Sequence, residues 1–230
     1  MKVETLKGAK VAIVAMGRSQ LGFAMSLTHS QTFDEVWTIN ATAGVYKTDR
    51  MFMMDPPSRF LDEEVTGSQK QVVSDIITNV QEYPIYSCTT DERCPSVIEF
   101  PVEEIIRETG FCYMNNTTAY AMAYALYQEV GEVSVFGVDF SYSKMPHFAE
   151  AGRACCEFWA ALLMARKVPV NVAPDSPFLD TDRPATEKLY GYHRLDDPPH
   201  VSYENGMMSI VPLSQAARPP EPQDGILFRG

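Results

Sequence analysis

Long apolar runs are missing from this 230-residue sequence. The run near its start, Val11–Met16, falls far short of the roughly 20 residues that span a bilayer. It is also too short for the core of a signal peptide. No membrane contact and a cytoplasmic location are therefore expected. A basic excess is missing too. The 19 Lys and Arg face 30 Asp and Glu, for a formal net charge of −11. That balance excludes recruitment of nucleic acid by the overall field. Lys47, Arg50 and Arg59 fall close together, and a solvated basic face is expected there.

Familiar catalytic and metal signatures are missing as well. There is no HExxH, no paired CxxC and no Gly-x-Ser-x-Gly elbow. Cys88 and Cys94 lack zinc-site spacing, and no metal ligand set is assigned. The five cysteines are an odd number, with Cys155 and Cys156 adjacent in a helical pattern. Buried, reduced thiols are the expectation. "GRSQLG" (Gly17–Gly22) is neither GxGxxG nor a P-loop. No internal repeat or low-complexity tract occurs.

What is present alternates. "KVAIVAM", "EVWTIN", "RMFMMD", "PIYSC", "EVSVFGVD" and "PVNVA" read as strands. The first is apolar on both faces, as parallel strands are. Between them lie helical patterns: Gln20 to about Thr28, "SQKQVVSDIITNV", "PVEEIIRETG" with its glycine stop, an Ala-rich segment after "NNTT", and "EAGRACCEFWAALLMARKV". The predicted class is α/β and Rossmann-like, with a mostly parallel sheet, helices on both faces and a Pro-rich C-terminal extension. Residues 1–174 form the nucleotide-binding domain. Residues 175–230, with "DDPPH", "ARPPEPQ" and a hairpin around Asn205-Gly206, form an extension or lid packed on it, or an arm in a homo-oligomer.

In an open α/β sheet ligands sit beyond the carboxyl ends of the strands. Those ends carry Gly17 and Ser19, Asn40, Asp55, and Gly137 and Asp139. The Ala-rich helix begins near Asn115 and adds the Thr117 and Thr118 hydroxyls, and a helix N-terminus favours phosphate. Asn40 caps a turn or meets a ligand; Asp139 meets a ligand or braces the loop after it. His147 is the candidate for acid–base chemistry, or it pins that loop.

In this order the pieces resemble the sialyltransferases of glycosyltransferase family 42. They also resemble the related Rossmann-like proteins that include archaeal 6-hydroxymethylpterin pyrophosphokinase and motility-associated glycosylation factors. The carriers are "AMGRSQL" for the family's Gly-x-Gly-Pro-Ser-Leu loop, "TIN", "MMDPPS", "NNTTAYAMAYAL" and "GVDFSY" with a downstream His. The resemblance runs from about Lys10 to Val172. It implies His147 as the base that deprotonates the acceptor and Tyr142 on the departing phosphate. Gly17, Ser19, Asn40, Asp55, Asn116, Thr117, Gly137 and Asp139 lie at the donor. Arg18 stands where the family has Pro, and Asp55 where it has Asn. A carboxylate there repels a donor phosphate unless Mg²⁺ intervenes.

The leading expectation is a glycosyltransferase using a nucleotide-activated sugar, without a requirement for Mg²⁺. One alternative is Mg²⁺-dependent phosphoryl or pyrophosphoryl transfer, with Asp55 and Asp139 holding the metal. Another is a non-catalytic protein that sequesters a nucleotide. Compact members of this look occur in bacteriophages, which suggests DNA modification with a hydroxylated base as acceptor.

Overall fold

The computed structural model describes residues 6–62, 69–141, 145–188, 197, 199–204 and 207–216. Alternation within the first strand, β1 (Lys10–Val14), sets the architecture. Val11 and Ile13 point to one face of the sheet, Ala12 and Val14 to the other, and all four are fully buried. Such a strand must be covered on both sides.

β1 pairs in parallel with β2 (Glu35–Ile39), and β2 with β3 (Arg50–Phe52). Next come β4 (Ile85–Ser87) and β5 (Val97–Glu99). On its other side β1 pairs with β6 (Glu132–Phe136), which pairs with β7 (Val170–Val172). The result is a seven-stranded sheet in the order β5-β4-β3-β2-β1-β6-β7. Every pairing in this sheet is parallel, and the β1–β2, β3–β4, β5–β6 and β6–β7 crossovers carry α-helices, while β4 and β5 are joined by a turn-rich loop.

Helices α1 (Leu21–Thr28), α2 (Pro57–Leu61) and α3 (Lys70–Thr78) supply one layer. Phe23 of α1 packs on Ala12, Val14 and Phe136, while Phe60, Val73 and Ile77 pack on Met51, Met53 and Ile85. The opposite layer is α4 (Val102–Thr109), α5 (Thr117–Tyr127) and α6 (Pro146–Ala165). Its alanines let α5 lie close to the sheet: Ala119, Ala121, Ala123 and Ala125 are fully buried. Trp37, Phe52, Tyr86 and Tyr124 fill the space beside them. Losing one such aromatic side chain costs roughly 3–5 kcal/mol.

Two sequence readings change here. Arg50 is not part of a solvated basic face. Its guanidinium forks onto Glu35 at 2.6 and 2.9 Å, donates to the Tyr86 hydroxyl at 3.2 Å, and is 11% exposed. The thiols also divide: Cys94, Cys155 and Cys156 are buried, but Cys88 and Cys112 are exposed.

The chain forms two compact units, divided between Asp182 and Arg183. Residues 175–182 thus belong with the first. Phe178 is fully buried in its main core, and Ser176 Oγ donates to the Val138 carbonyl at 2.8 Å. Arg153 of α6 holds Asp180 at 2.7 Å. The second unit contains α7 (Ala185–Lys188) and an antiparallel hairpin of β8 (Pro199–Glu204) and β9 (Met207–Pro212).

Candidate functional site

The strand order reverses between β1 and β6, because the chain builds outward from β1 in one direction and then returns to its other side. The loops leaving these two strands diverge and open a crevice. They also have to pack against each other. Gly17 N–H donates to the Gly137 carbonyl at 2.7 Å, and a Cβ on Gly17 would stand 2.5 Å from that oxygen. Gly137 has φ 71°, and a Cβ there would run into the Ala15 carbonyl. Glycine is required at both positions.

Ser19 closes the joint. Its hydroxyl accepts from Gly137 N–H at 2.9 Å and donates to Asp139 Oδ1, while its own N–H donates to Asp139 Oδ2 at 2.8 Å. Ser19 is fully buried and Asp139 nearly so. Asp139 therefore braces the loop between β1 and α1. Ser19, expected among the donor contacts, lies beneath the crevice, because its hydroxyl is used on both sides.

Above this joint is a cavity of about 710 Å³. Gly17, Asn40, Asp55, Asn116, Thr117, Gly137 and Asp139 all line it. Asn40 turns the chain after β2 with φ 52°, and its buried Oδ1 has no hydrogen-bond partner. A buried acceptor left unpaired costs free energy that a ligand donor recovers. Asn116 is the N-cap of α5, accepting from Ala119 N–H at 3.0 Å and donating to the Gly152 carbonyl of α6 at 2.9 Å. The Cys156 thiol donates to the same Asn116 oxygen at 3.3 Å, and burial pushes its pKa up. Asn116 thus orients the first turn of α5, whose free N–H groups and positive dipole end open into the cavity.

Arg59, Gln69, Tyr120 and Phe148 also line the cavity, and sequence reasoning had not placed them there. Arg59 matters most. It ion-pairs with Asp55 four residues earlier. The repulsion expected between Asp55 and a donor phosphate is answered by this guanidinium, and the spacing Asp55-x-x-x-Arg59 was the signal for it. Tyr120 sits edge-on to Phe100, ring centroids 5.1 Å apart, and burial raises its phenol pKa.

His147 stands in the first turn of α6, one residue before Phe148. Its side chain is 99% exposed, with Nδ1 3.7 Å from Glu150 Oε2; it does not line the cavity. Tyr142 lies outside the described residues. The donor set does not fit a resident Mg²⁺ held by Asp55 and Asp139: the first is paired with Arg59 and both oxygens of the second are used by Ser19. No group of three or more His, Cys, Asp or Glu is brought together among the described residues.

No family model matches the sequence, and no curated protein does. Among solved structures the fold is similar to the sialyltransferase CstII from Campylobacter jejuni. One structure holds the substrate analogue CMP-3FNeuAc, with TM-score 0.45 and 16% identity over 73% of this chain and 81% of that one. Another holds cytidine-5′-monophosphate, with TM-score 0.42 and 17% identity over 74% and 81%. Likeness at that level leaves the activity to be argued from the site. The class that the chain itself defines is a parallel, doubly wound α/β protein with one polar cavity at its switch point. No helix among the described residues is long and apolar enough to cross a membrane.

Proposed function

We propose that the cavity binds a nucleotide-activated sugar and that the chain is a glycosyltransferase. One observation carries this reading: the first turn of α5 opens into the switch-point cavity together with Arg59 and the unpartnered Asn40 Oδ1. A helix N-terminus and a guanidinium suit a phosphate. A lone acceptor suits a hydroxyl or amino group of a base or sugar. The order of motifs shared with the family 42 sialyltransferases supports the same reading.

In this reaction an acceptor hydroxyl oxygen attacks the anomeric carbon of the donor. The bond from that carbon to the phosphate oxygen breaks, and its electron pair leaves with the nucleotide. The α5 N-terminus and Arg59 stabilise the charge that develops on the departing phosphate. Tyr142 would assist them. His147, the residue before the cavity-lining Phe148, takes the acceptor proton. Phosphoryl transfer is the weaker reading, because the two carboxylates it assigns to Mg²⁺ are already engaged.

The test is turnover of CMP-, UDP- and GDP-linked sugars with a hydroxyl acceptor. His147→Gln should lower kcat by about 10²–10⁴-fold and leave donor affinity unchanged. A stable His147→Gln protein that turns over at full rate removes His147 from the mechanism. Tight binding with neither transfer to an acceptor nor release of free sugar would favour a sequestering protein.

A further inference from the structure

The Asp55–Arg59 pair is built so that its side chains can exchange partners while its backbone stays fixed. Asp55 ends the run from β3, and its carbonyl accepts from Ser87 Oγ at 2.9 Å, which ties it to β4. Pro56 and Pro57 follow, the first at φ −63°, and Pro57 opens α2. Two prolines leave the turn little freedom. The side chains are less constrained: Arg59 is 49% and Asp55 29% exposed, and both face the cavity.

Arg59 is the only Lys, Arg or His among the described residues lining that cavity, where two carboxylates accompany it. One of these, Asp139, is held by Ser19 and cannot readily take another partner. An incoming phosphate therefore has one guanidinium to recruit, and that guanidinium is held by Asp55.

Resting on the reading of the cavity as a nucleotide site, we infer that Arg59 is a specificity-determining residue that transfers from Asp55 to the phosphate of the donor. The transfer is coupled to a second contact. Once Arg59 leaves, the Asp55 carboxylate is an uncompensated charge at the cavity wall, and it takes hydroxyl donors from the ribose or the sugar. A ligand carrying both a phosphate and a neighbouring hydroxyl satisfies both side chains. A ligand with only one of these leaves the other side chain without a partner. The pair thus selects for phosphorylated sugar derivatives over free anions and over free nucleosides.

Calorimetry tests this with the four ribonucleoside 5′-monophosphates, their parent nucleosides and inorganic phosphate. Wild-type protein should bind at least one monophosphate more tightly than either its nucleoside or phosphate alone. Arg59→Gln should weaken that monophosphate about tenfold or more, the loss of a charge-assisted contact, while nucleoside affinity rises or stays level because Asp55 is then free for the hydroxyls. Arg59→Lys should restore part of the loss. Asp55→Asn should leave Arg59 free and bind inorganic phosphate more tightly than wild type does. Melting temperatures of the three variants control for folding, and the pair's exposure predicts small changes.

The inference is overturned if Arg59→Gln binds monophosphate normally, or loses monophosphate and nucleoside equally. It is overturned too if Asp55→Asn binds inorganic phosphate no better than wild type. Failure of wild-type protein to bind any monophosphate would instead defeat the nucleotide reading itself, and this inference with it.

Discussion

Ser19 and Asp139 lie 120 residues apart and hold each other through two hydrogen bonds, one from the Ser19 N–H and one from its hydroxyl. The pair joins the loop after β1 to the loop after β6, at the point where the sheet reverses its order.

Cutting this joint should loosen the site from beneath. Ser19→Ala leaves the Asp139 Oδ1 acceptor and the Gly137 N–H without a partner. Each buried hydrogen bond to a charged group is worth about 1.5–3 kcal/mol. Urea denaturation should show a loss of that order for Ser19→Ala and a similar loss for Asp139→Asn. The double variant should lose less than the sum, since both act on one contact. Additive losses would mean that the two residues do not act together.

Burial raises the pKa of Tyr124, Tyr120 and Tyr83. A tyrosine whose folded pKa is raised holds its proton where the unfolded chain has lost it. Its stabilisation is fully present below the unfolded pKa of about 10 and is lost as pH rises beyond that. Unfolding free energy should therefore fall above about pH 10. Tyr124 is 1% exposed and shares a 2.8 Å hydrogen bond with the Tyr86 hydroxyl, so Tyr124→Phe should flatten the alkaline slope. Stability that stays level to pH 11 in wild-type protein would contradict this.

The thiols give a simpler check. Cys88 and Cys112 are exposed, while burial covers Cys94, Cys155 and Cys156 and raises their pKa. A thiol reagent at neutral pH should modify the first two promptly and the other three only on unfolding. Mass spectrometry of the labelled peptides reads the result. Fast native labelling of Cys156 would show that the α5–α6 contact opens.

Much of the fold was legible because buried parallel strands write themselves as apolar runs. "KVAIV" and "VSVF" needed no partner to be recognised. β5 was missed because only Val97 of its three residues is buried; Ile98 and Glu99 are exposed at the sheet edge. Phe178 and Ser176 looked like the start of a tail because the surrounding prolines disguise their place in the first unit.

The site was legible as positions and less so as roles. Glycines and short polar residues at strand ends marked the cavity. What each one does depends on partners distant in sequence. Ser19 reads as a ligand contact until Asp139 is seen across from it. Arg50 and Arg59 look equivalent, yet one is buried on Glu35 and the other opens onto the cavity.

That the switch-point cavity holds a nucleotide sugar is tested most directly by calorimetry with CMP-, UDP- and GDP-linked sugars in the presence of EDTA. At least one should bind wild-type protein. Asn40→Ala and Thr117→Val should each weaken that binding by about 0.5–1.5 kcal/mol. Thr117→Val should leave the melting temperature unchanged, and Asn40→Ala should lower it modestly, because alanine tolerates the φ of 52° less well than asparagine does. Absence of binding by every donor, or full affinity in both variants, would contradict the assignment of this cavity as the donor site.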